Sequence, residues 1–294
     1  MTSSTRRTVL AATLLLPFAA HARGGSVTGA AIARAEDELA KLEASAGGRL
    51  GVAAWEHGRA PHIGHRADER FPMCSTFKAI LAAAVLQRSV ADKGLLARRL
   101  PYTQEDLVTY SPETEKHVGA GMTVAGLCEA AVQLSDNTAA NVLMKMLGGP
   151  PAVTSFARSV GDTTFRLDRW ETELNSAIPG DQRDTTTPAA MARLLERLLL
   201  GDALPPAQRA QIRDWMLGNK TGATRFRAGV PAGWKVADKT GTGSYGSTND
   251  AGVIWATAER PLMLVVYYTQ ASKDAEARSD VIAAATRIVV AALG

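Results

Sequence analysis

The chain has 294 residues, 46% of them hydrophobic and 21% charged, which is enough to bury a sizeable core as one large or two modest domains. Its formal charge of +4 includes Arg6 and Arg7 and falls to +2 without them. No run of Lys or Arg forms a basic stripe, so the composition argues against a nucleic-acid partner.

The first segment reads as an export signal. Arg6 and Arg7 form a charged head, residues 9–20 a short apolar run broken by Pro17, and Ala20-His21-Ala22 a small-x-small cleavage site. Residues 1–22 are therefore expected to be a signal peptide and the mature protein to be periplasmic or secreted. Residues 4–10 resemble a twin-arginine signal, with Val9 where phenylalanine is usual. This run is too short to span a bilayer and no other is longer, so no permanent membrane anchor is expected.

Ile32, Ala35, Leu39 and Leu42 recur at helical spacing over residues 30–46, and Gly47-Gly48 stops the pattern. Leu50, Val52 and Ala54 alternate as a strand, His57-Gly58 marks a turn, and a second strand follows near residues 62–65. Helices are expected over 75–88, 123–134 with Thr123 as N-cap, 137–147 up to Gly148-Gly149-Pro150, 187–200 and 206–217. Residues 161–186 carry many charges and no period, and a long irregular stretch inside a compact domain is usually functional. Residues 233–240, 251–257 and 262–269 read as strands, the last two as a hairpin around Glu259-Arg260-Pro261, and 274–293 as a closing helix. Strands at both ends with helices between them imply an α+β fold. Its antiparallel sheet, flanked by helices, belongs to a discontinuous α/β domain of residues 23–66 and 222–294, and residues 67–221 form an all-α domain. A cleft between two such lobes is the expected place for a site.

Three short motifs can carry chemistry. Ser75-Thr76-Phe77-Lys78 puts a hydroxyl and an amine on one helix face, where an amine that is partly neutral can take the serine proton. Ser135-Asp136-Asn137 offers a hydroxyl for proton relay and an amide for binding. Lys239-Thr240-Gly241 ends an apolar strand with groups suited to a carboxylate and a glycine that lets substrate approach the backbone. Each alone has a plain structural explanation: a capped helix, an N-cap turn, a strand end. Taken together and in this order they match the set found in class A β-lactamases and penicillin-binding proteins.

On these motifs, and on the flanking run Arg169-Trp170-Glu171-Thr172-Glu173-Leu174-Asn175, the chain resembles the class A serine β-lactamases along nearly all of its mature length, closely those of the Gram-negative penicillinase type. The resemblance implies the serine β-lactamase/DD-peptidase fold and hydrolysis of penicillins and cephalosporins through a serine acyl-enzyme, conferring β-lactam resistance. It implies Ser75 as nucleophile, Lys78 or (through a water) Glu171 as the base that receives its proton, and Ser135 as donor to the leaving nitrogen. Glu171 and Asn175 would hold the hydrolytic water, in a loop over 166–184 closed by an Arg169–Asp184 ion pair. The backbone N–H groups of Ser75 and Thr242 would form the oxyanion hole. Lys239, Thr240, Gly241 and Thr242 would take the substrate carboxylate, Arg225 would supply a guanidinium where Thr248 stands in place of the family's usual arginine, Asn137 would bind the acyl-amide side chain, and Tyr110 would line the cleft wall. The hydroxyls of Thr242 and Ser244 would help cephalosporins bind.

Further expectations concern bridges, metals and partners. Related enzymes that bridge the cysteine before the nucleophile have its partner where this chain has Gly243, and those with a helix-to-helix disulfide have a cysteine at the place of Ala82; Cys74 and Cys128 are thus expected to be free thiols. His57, His62 and His65 match no hydrolytic zinc signature, and no metal or cofactor is expected. The expected partner is a small-molecule β-lactam substrate, and the protein is expected to be a monomer. A DD-peptidase would share the three motifs but needs no water site such as Glu171 and Asn175, and a penicillin sensor would need a membrane segment.

Overall fold

The computed structural model describes Met1, residues 29–60 and residues 62–293; the signal peptide expected over 1–22 lies, apart from Met1, outside the described residues. Helix α1 (Gly29–Ala46) buries Ile32, Ala35 and Leu39 on one face, as its periodicity requires. Strands β1 (Arg49–Glu56) and β2 (Ile63–His65) form the expected hairpin, with Val52 opposite His65. Two-residue pairs follow: β3 (Phe71–Pro72) with β6 (Thr185–Thr186), and β4 (Arg99–Leu100) with β5 (Met122–Thr123).

The helical segment comprises α2 (Phe77–Ala91), α3 (Val124–Gln133), α4 (Asn137–Leu147), α5 (Pro150–Ser159), α6 (Pro188–Leu199) and α7 (Pro206–Leu217). Helix α5 is not among the expected elements, because Gly148-Gly149-Pro150 reads in sequence only as a stop. It is both a stop and a start: Gly148 ends α4 with a left-handed φ of 108°, and Pro150 opens α5 at a first-turn position where a missing N–H costs nothing. Thr123 caps α3 as expected, its hydroxyl accepting from Gly126 N at 3.1 Å. Thr123→Ala should therefore lower unfolding free energy by about 1 kcal/mol, measured by chemical denaturation.

The chain then returns through the short α8 (Phe226–Gly229) to β7 (Lys235–Gly243), β8 (Ser247–Trp255), β9 (Pro261–Thr269) and α9 (Ser279–Leu293). Strand β8 begins four residues before the expected start at Ala251, because Ser247, Thr248, Asn249 and Asp250 are polar yet fully buried and bonded within the protein. Apolar alternation cannot reveal such a segment.

One antiparallel sheet, in the order β2-β1-β9-β8-β7, joins strands from both ends of the chain. In β9, Met263, Val265 and Tyr267 point into one core with α2, α3 and α6, while Leu264, Val266 and Tyr268 point into the other with α1 and α9. Burial on both faces is why residues 262–269 read as a continuous apolar run. The fold is the expected α+β arrangement of helices around an antiparallel sheet.

Both cysteines are free, and both are buried. Burial pushes the Cys74 thiol up to about 12 and drives that of Cys128 up as well. A thiol reagent should therefore label neither cysteine rapidly in the native protein and should titrate both in unfolded, unreduced protein. Finding no thiol after unfolding would contradict this.

Candidate active site

A 3-10 turn over Cys74–Thr76 leads into α2, so Ser75 and Lys78 lie one turn apart. Lys78 is fully buried in a helix that is otherwise almost wholly apolar on its inner faces. Its Nζ donates to Ser135 O at 2.7 Å and Asn137 Oδ1 at 2.6 Å and lies 3.0 Å from Glu171 Oε1. Burial pushes the Lys78 pKa below the ordinary lysine range, and the Glu171 carboxylate opposes that shift.

Glu171 comes from the irregular stretch, 96 residues along the chain from Ser75, and its Oε1 accepts from Ser75 Oγ at 3.2 Å. Hydroxyl and carboxylate are thus within hydrogen-bond reach of each other. Asn175 Nδ2 donates to the other carboxylate oxygen at 2.5 Å, while Asn175 Oδ1 is buried with no hydrogen-bond partner among the described residues. The backbone of Glu171, which precedes a cis peptide bond, is held at both ends by Asn141: Oδ1 accepts from Glu171 N at 3.0 Å and Nδ2 donates to Glu171 O at 2.8 Å. Asn141 is not among the residues singled out from the sequence. Its only local signal is its place four residues after Asn137, on the same face of α4.

The loop is closed as expected. Arg169 Nε donates to Asp184 Oδ2 at 2.6 Å, and Asp184 Oδ1 accepts from the backbone N–H groups of Asp168 and Arg169 at 2.7 and 3.0 Å.

The opposite wall is built by the turn between α3 and α4 and by β7. Ser135 sits in a left-handed conformation with φ 59°. Asp136, the middle residue of its motif, is fully buried and structural: Oδ1 caps α4 by accepting from Ala139 N at 2.8 Å, and Oδ2 accepts from the N–H groups of Glu113 and Thr114. Lys239 Nζ donates to Ser135 Oγ at 3.0 Å and to Thr240 O at 2.9 Å. Burial, then the nearby charge of Lys78, hold the Lys239 pKa well below the usual lysine range.

Gly241 also has a packing purpose: a Cβ there would stand 2.7 Å from Met73 O and 3.2 Å from Ser75 N, so the glycine lets β7 close on the nucleophile turn. A Cβ on Gly243 would likewise stand 2.7 Å from both Asn175 O and Cys74 Sγ, so the end of β7 touches the loop and the nucleophile turn at once.

Arg225 is buried: Nη1 donates to Gly241 O at 2.8 Å and Asn249 O at 2.7 Å, Nη2 to Thr242 Oγ1 at 2.7 Å and Nε to Ser279 Oγ at 3.3 Å. Its charge therefore meets the cleft through the Thr242 hydroxyl. Asn137 spends its amide on Lys78 and on Thr109 O at 2.8 Å, and its own N–H donates to Tyr110 O, holding the exposed Tyr110 ring (57%) at the rim.

The histidines lie elsewhere: His57 pairs with Glu196 at 2.7 Å, His65 with Glu43 at 3.1 Å, and His62 packs on Trp55. Among the described residues, no helix is long and apolar enough to cross a membrane.

Comparison with known proteins agrees with this geometry. A model of the β-lactamase enzyme family matches residues 34–293. The chain is 53% identical over 294 residues to β-lactamase Toho-1 of Escherichia coli, with 98% of each chain covered. It is 55% identical over 254 residues to β-lactamase CTX-M-8 of Citrobacter amalonaticus, covering 86% of this chain and 87% of that one. The crystal structure of a β-lactamase from Desulfarculus baarsii matches with a TM-score of 0.87 and 56% identity over 88% of this chain and 97% of its own. A variant of the class A β-lactamase of the last common ancestor of Gram-negative bacteria matches at 0.85 and 60% identity, over 88% and 98%. A serine, two buried lysines and a loop carboxylate converging between a helical layer and a sheet edge, in a chain so similar to these enzymes over nearly its whole length, place it in the β-lactamase enzyme family as a class A serine β-lactamase, a hydrolase of β-lactams.

Proposed function

We propose that the enzyme opens penicillins and cephalosporins through an acyl-enzyme on Ser75 that Glu171 and Asn175 hydrolyse, and that it confers resistance to them. One observation carries this reading: a single carboxylate oxygen of Glu171 faces both Ser75 Oγ and Lys78 Nζ, while Asn175 holds the other.

Three acceptors surround Lys78 Nζ at 2.6–3.0 Å, matching the three N–H bonds of an ammonium. That supports a charged Lys78 in the resting enzyme and gives Glu171 the serine proton during acylation. The developing oxyanion goes to the backbone N–H groups of Ser75 and Thr242, each such donor being worth about 10²–10³ in rate. Ser135, already bonded to Lys239, passes a proton to the leaving nitrogen. Asn175 Oδ1, a buried acceptor in need of a donor, is suited to hold the water that Glu171 activates for deacylation. Lys239 has a third N–H free for the substrate carboxylate, with Thr240 and Thr242 beside it, and an arriving anion offsets the cost of its burial. Because Thr242 Oγ1 accepts from Arg225, its own proton is free to donate to that carboxylate. Arg225 thus acts through Thr242; Asn137 offers its remaining amide hydrogen to the acyl side chain, and Tyr110 walls the cleft. Residues 23–66 with 222–294 form the sheet-bearing domain and 67–221 the helical one, with the site between them. The enzyme works outside the cytoplasm, a reading that rests on residues 1–22, and as a monomer, as the family resemblance implies.

Steady-state rates across a penicillin, an extended cephalosporin and a carbapenem test the substrate range. Turnover of the first two is expected. Thr242→Val should lower kcat/KM by about tenfold, more for the cephalosporin than for the penicillin, as loss of one hydrogen bond to a charged group requires. Absence of cephalosporin turnover would confine the enzyme to penicillins.

A further inference from the structure

A cavity of about 760 Å³ opens between the start of β1, the segment leading into β3, the far half of the active-site loop and the end of β9. Arg49, Arg70, Pro72, Ile178, Pro179 and Gln270 are among its lining residues, and none of the residues assigned to the β-lactam site lines it. Its volume lies within the range that takes drug-sized molecules.

Two features of its wall point to a ligand. The first is Arg70, a half-buried guanidinium that donates from Nη1 to Thr185 Oγ1 at 3.0 Å and Thr185 O at 3.4 Å but has no ion pair among the described residues. Its neighbours Arg158 and Arg166 have partners in Asp162 at 3.5 Å and Asp168 at 2.7 Å. Burial, and then repulsion from Arg166 and Arg158, push the Arg70 pKa down, while Asp162 and Asp168 oppose that shift without forming an ion pair with it. A partly buried cation with no carboxylate in direct contact bears a desolvation cost, and an anion relieves that cost through charge-assisted hydrogen bonds. The one carboxylate on the wall, Asp181, is engaged by Arg183 at 2.7 Å. Arg49, also on the wall, is held by Glu69 at 2.8 Å and stacks over the Phe71 ring. The second feature is apolar: Ile178 is 47% exposed, among the most exposed large hydrophobic residues of the described chain, and lies beside Pro179 on this wall.

We infer that this cavity is a second binding site, for a drug-sized organic anion whose carboxylate or sulfonate pairs with Arg70 and whose apolar body lies on Ile178 and Pro179. The β-lactams and their ring-opened products belong to that chemical class. Ile178 and Pro179 continue the same loop that carries Glu171 and Asn175, inside the closure made by Arg169 and Asp184. A ligand held there braces the loop from the side away from its catalytic residues in sequence, and so modulates hydrolysis without competing with substrate. Binding itself does not depend on the roles given to Ser75 and Glu171, so the two readings fail separately.

The test is a fluorescence titration of the full-length enzyme with 8-anilinonaphthalene-1-sulfonate. Saturable binding is expected, and Arg70→Gln should weaken it by about tenfold or more. Ile178→Glu, which sets a competing carboxylate and removes the apolar contact, should weaken it to a similar degree and decides the matter if Arg70→Gln fails to fold. Melting temperatures confirm that the compared variants are folded. Unchanged affinity in the folded variants would overturn the proposal, as would displacement of the probe by a phenylboronate that occupies the Ser75 site.

Discussion

Ser75→Ala should abolish β-lactam hydrolysis, lowering kcat by a factor on the order of 10⁶, as loss of the nucleophile does in serine hydrolases. The substitution removes one hydroxyl from a site that is otherwise held by bonds independent of it. Lys78 keeps Ser135 O, Asn137 Oδ1 and Glu171, and Glu171 keeps Asn175 and both backbone bonds to Asn141. Substrate binding through Lys239 and Thr242 should survive, so a β-lactam should still raise the melting temperature of the variant while no covalent adduct forms by mass spectrometry. The site should also relax slightly: Glu171 loses one donor, and the methyl group left at position 75 buries no polar atom. Residual turnover above a few per cent of the parent, in protein free of wild-type contamination, would remove Ser75 from the role of nucleophile.

The elements were legible in the sequence wherever the buried residues are apolar. The stripe Ile32, Ala35, Leu39 identified α1, and the continuous run 262–269 identified a strand buried on both sides. Position was harder to read where polarity and burial part company. Residues 247–250 form half of β8, yet Ser247, Thr248, Asn249 and Asp250 look like a loop, because their partners come from distant segments such as Pro72 and Phe226. The site shows the same limit. Nothing local links Ser75 to Glu171, and Lys239 meets Ser135 across 104 residues; only the joint presence of the motifs and the resemblance they carry joined them. Details set by packing stayed hidden. That Gly241 also makes room for the Met73 carbonyl, and that Arg225 is buried and bonded to Gly241, Asn249, Thr242 and Ser279, has no local signal. Asn141, which fixes the backbone of Glu171, is one asparagine among several on a helix face until the loop is laid against it.

Glu171→Gln should separate the two halves of the reaction. Glutamine keeps the shape, the Asn141 clamp on the backbone and an oxygen for Asn175 Nδ2, so the loop should stay in place. It removes the carboxylate that takes a proton from water, and deacylation is then left without a base at that position. Acylation has a substitute. The Glu171 carboxylate raises the Lys78 pKa while burial lowers it, so removing the carboxylate leaves burial less opposed and moves Lys78 toward the neutral amine. A neutral amine can accept the Ser75 proton, which the ammonium cannot. The acyl-enzyme should therefore still form, more slowly than in the parent, and then persist: one equivalent of penicillin consumed, an adduct of the mass of enzyme plus intact β-lactam, and turnover lowered by about 10²–10⁴ or more. The rate of adduct formation should rise with pH as Lys78 loses its proton, a dependence that a purely structural role for Glu171 would not produce. Turnover at the parent rate with no adduct would remove Glu171 from deacylation, and failure to acylate at any pH would show that Lys78 cannot stand in for it.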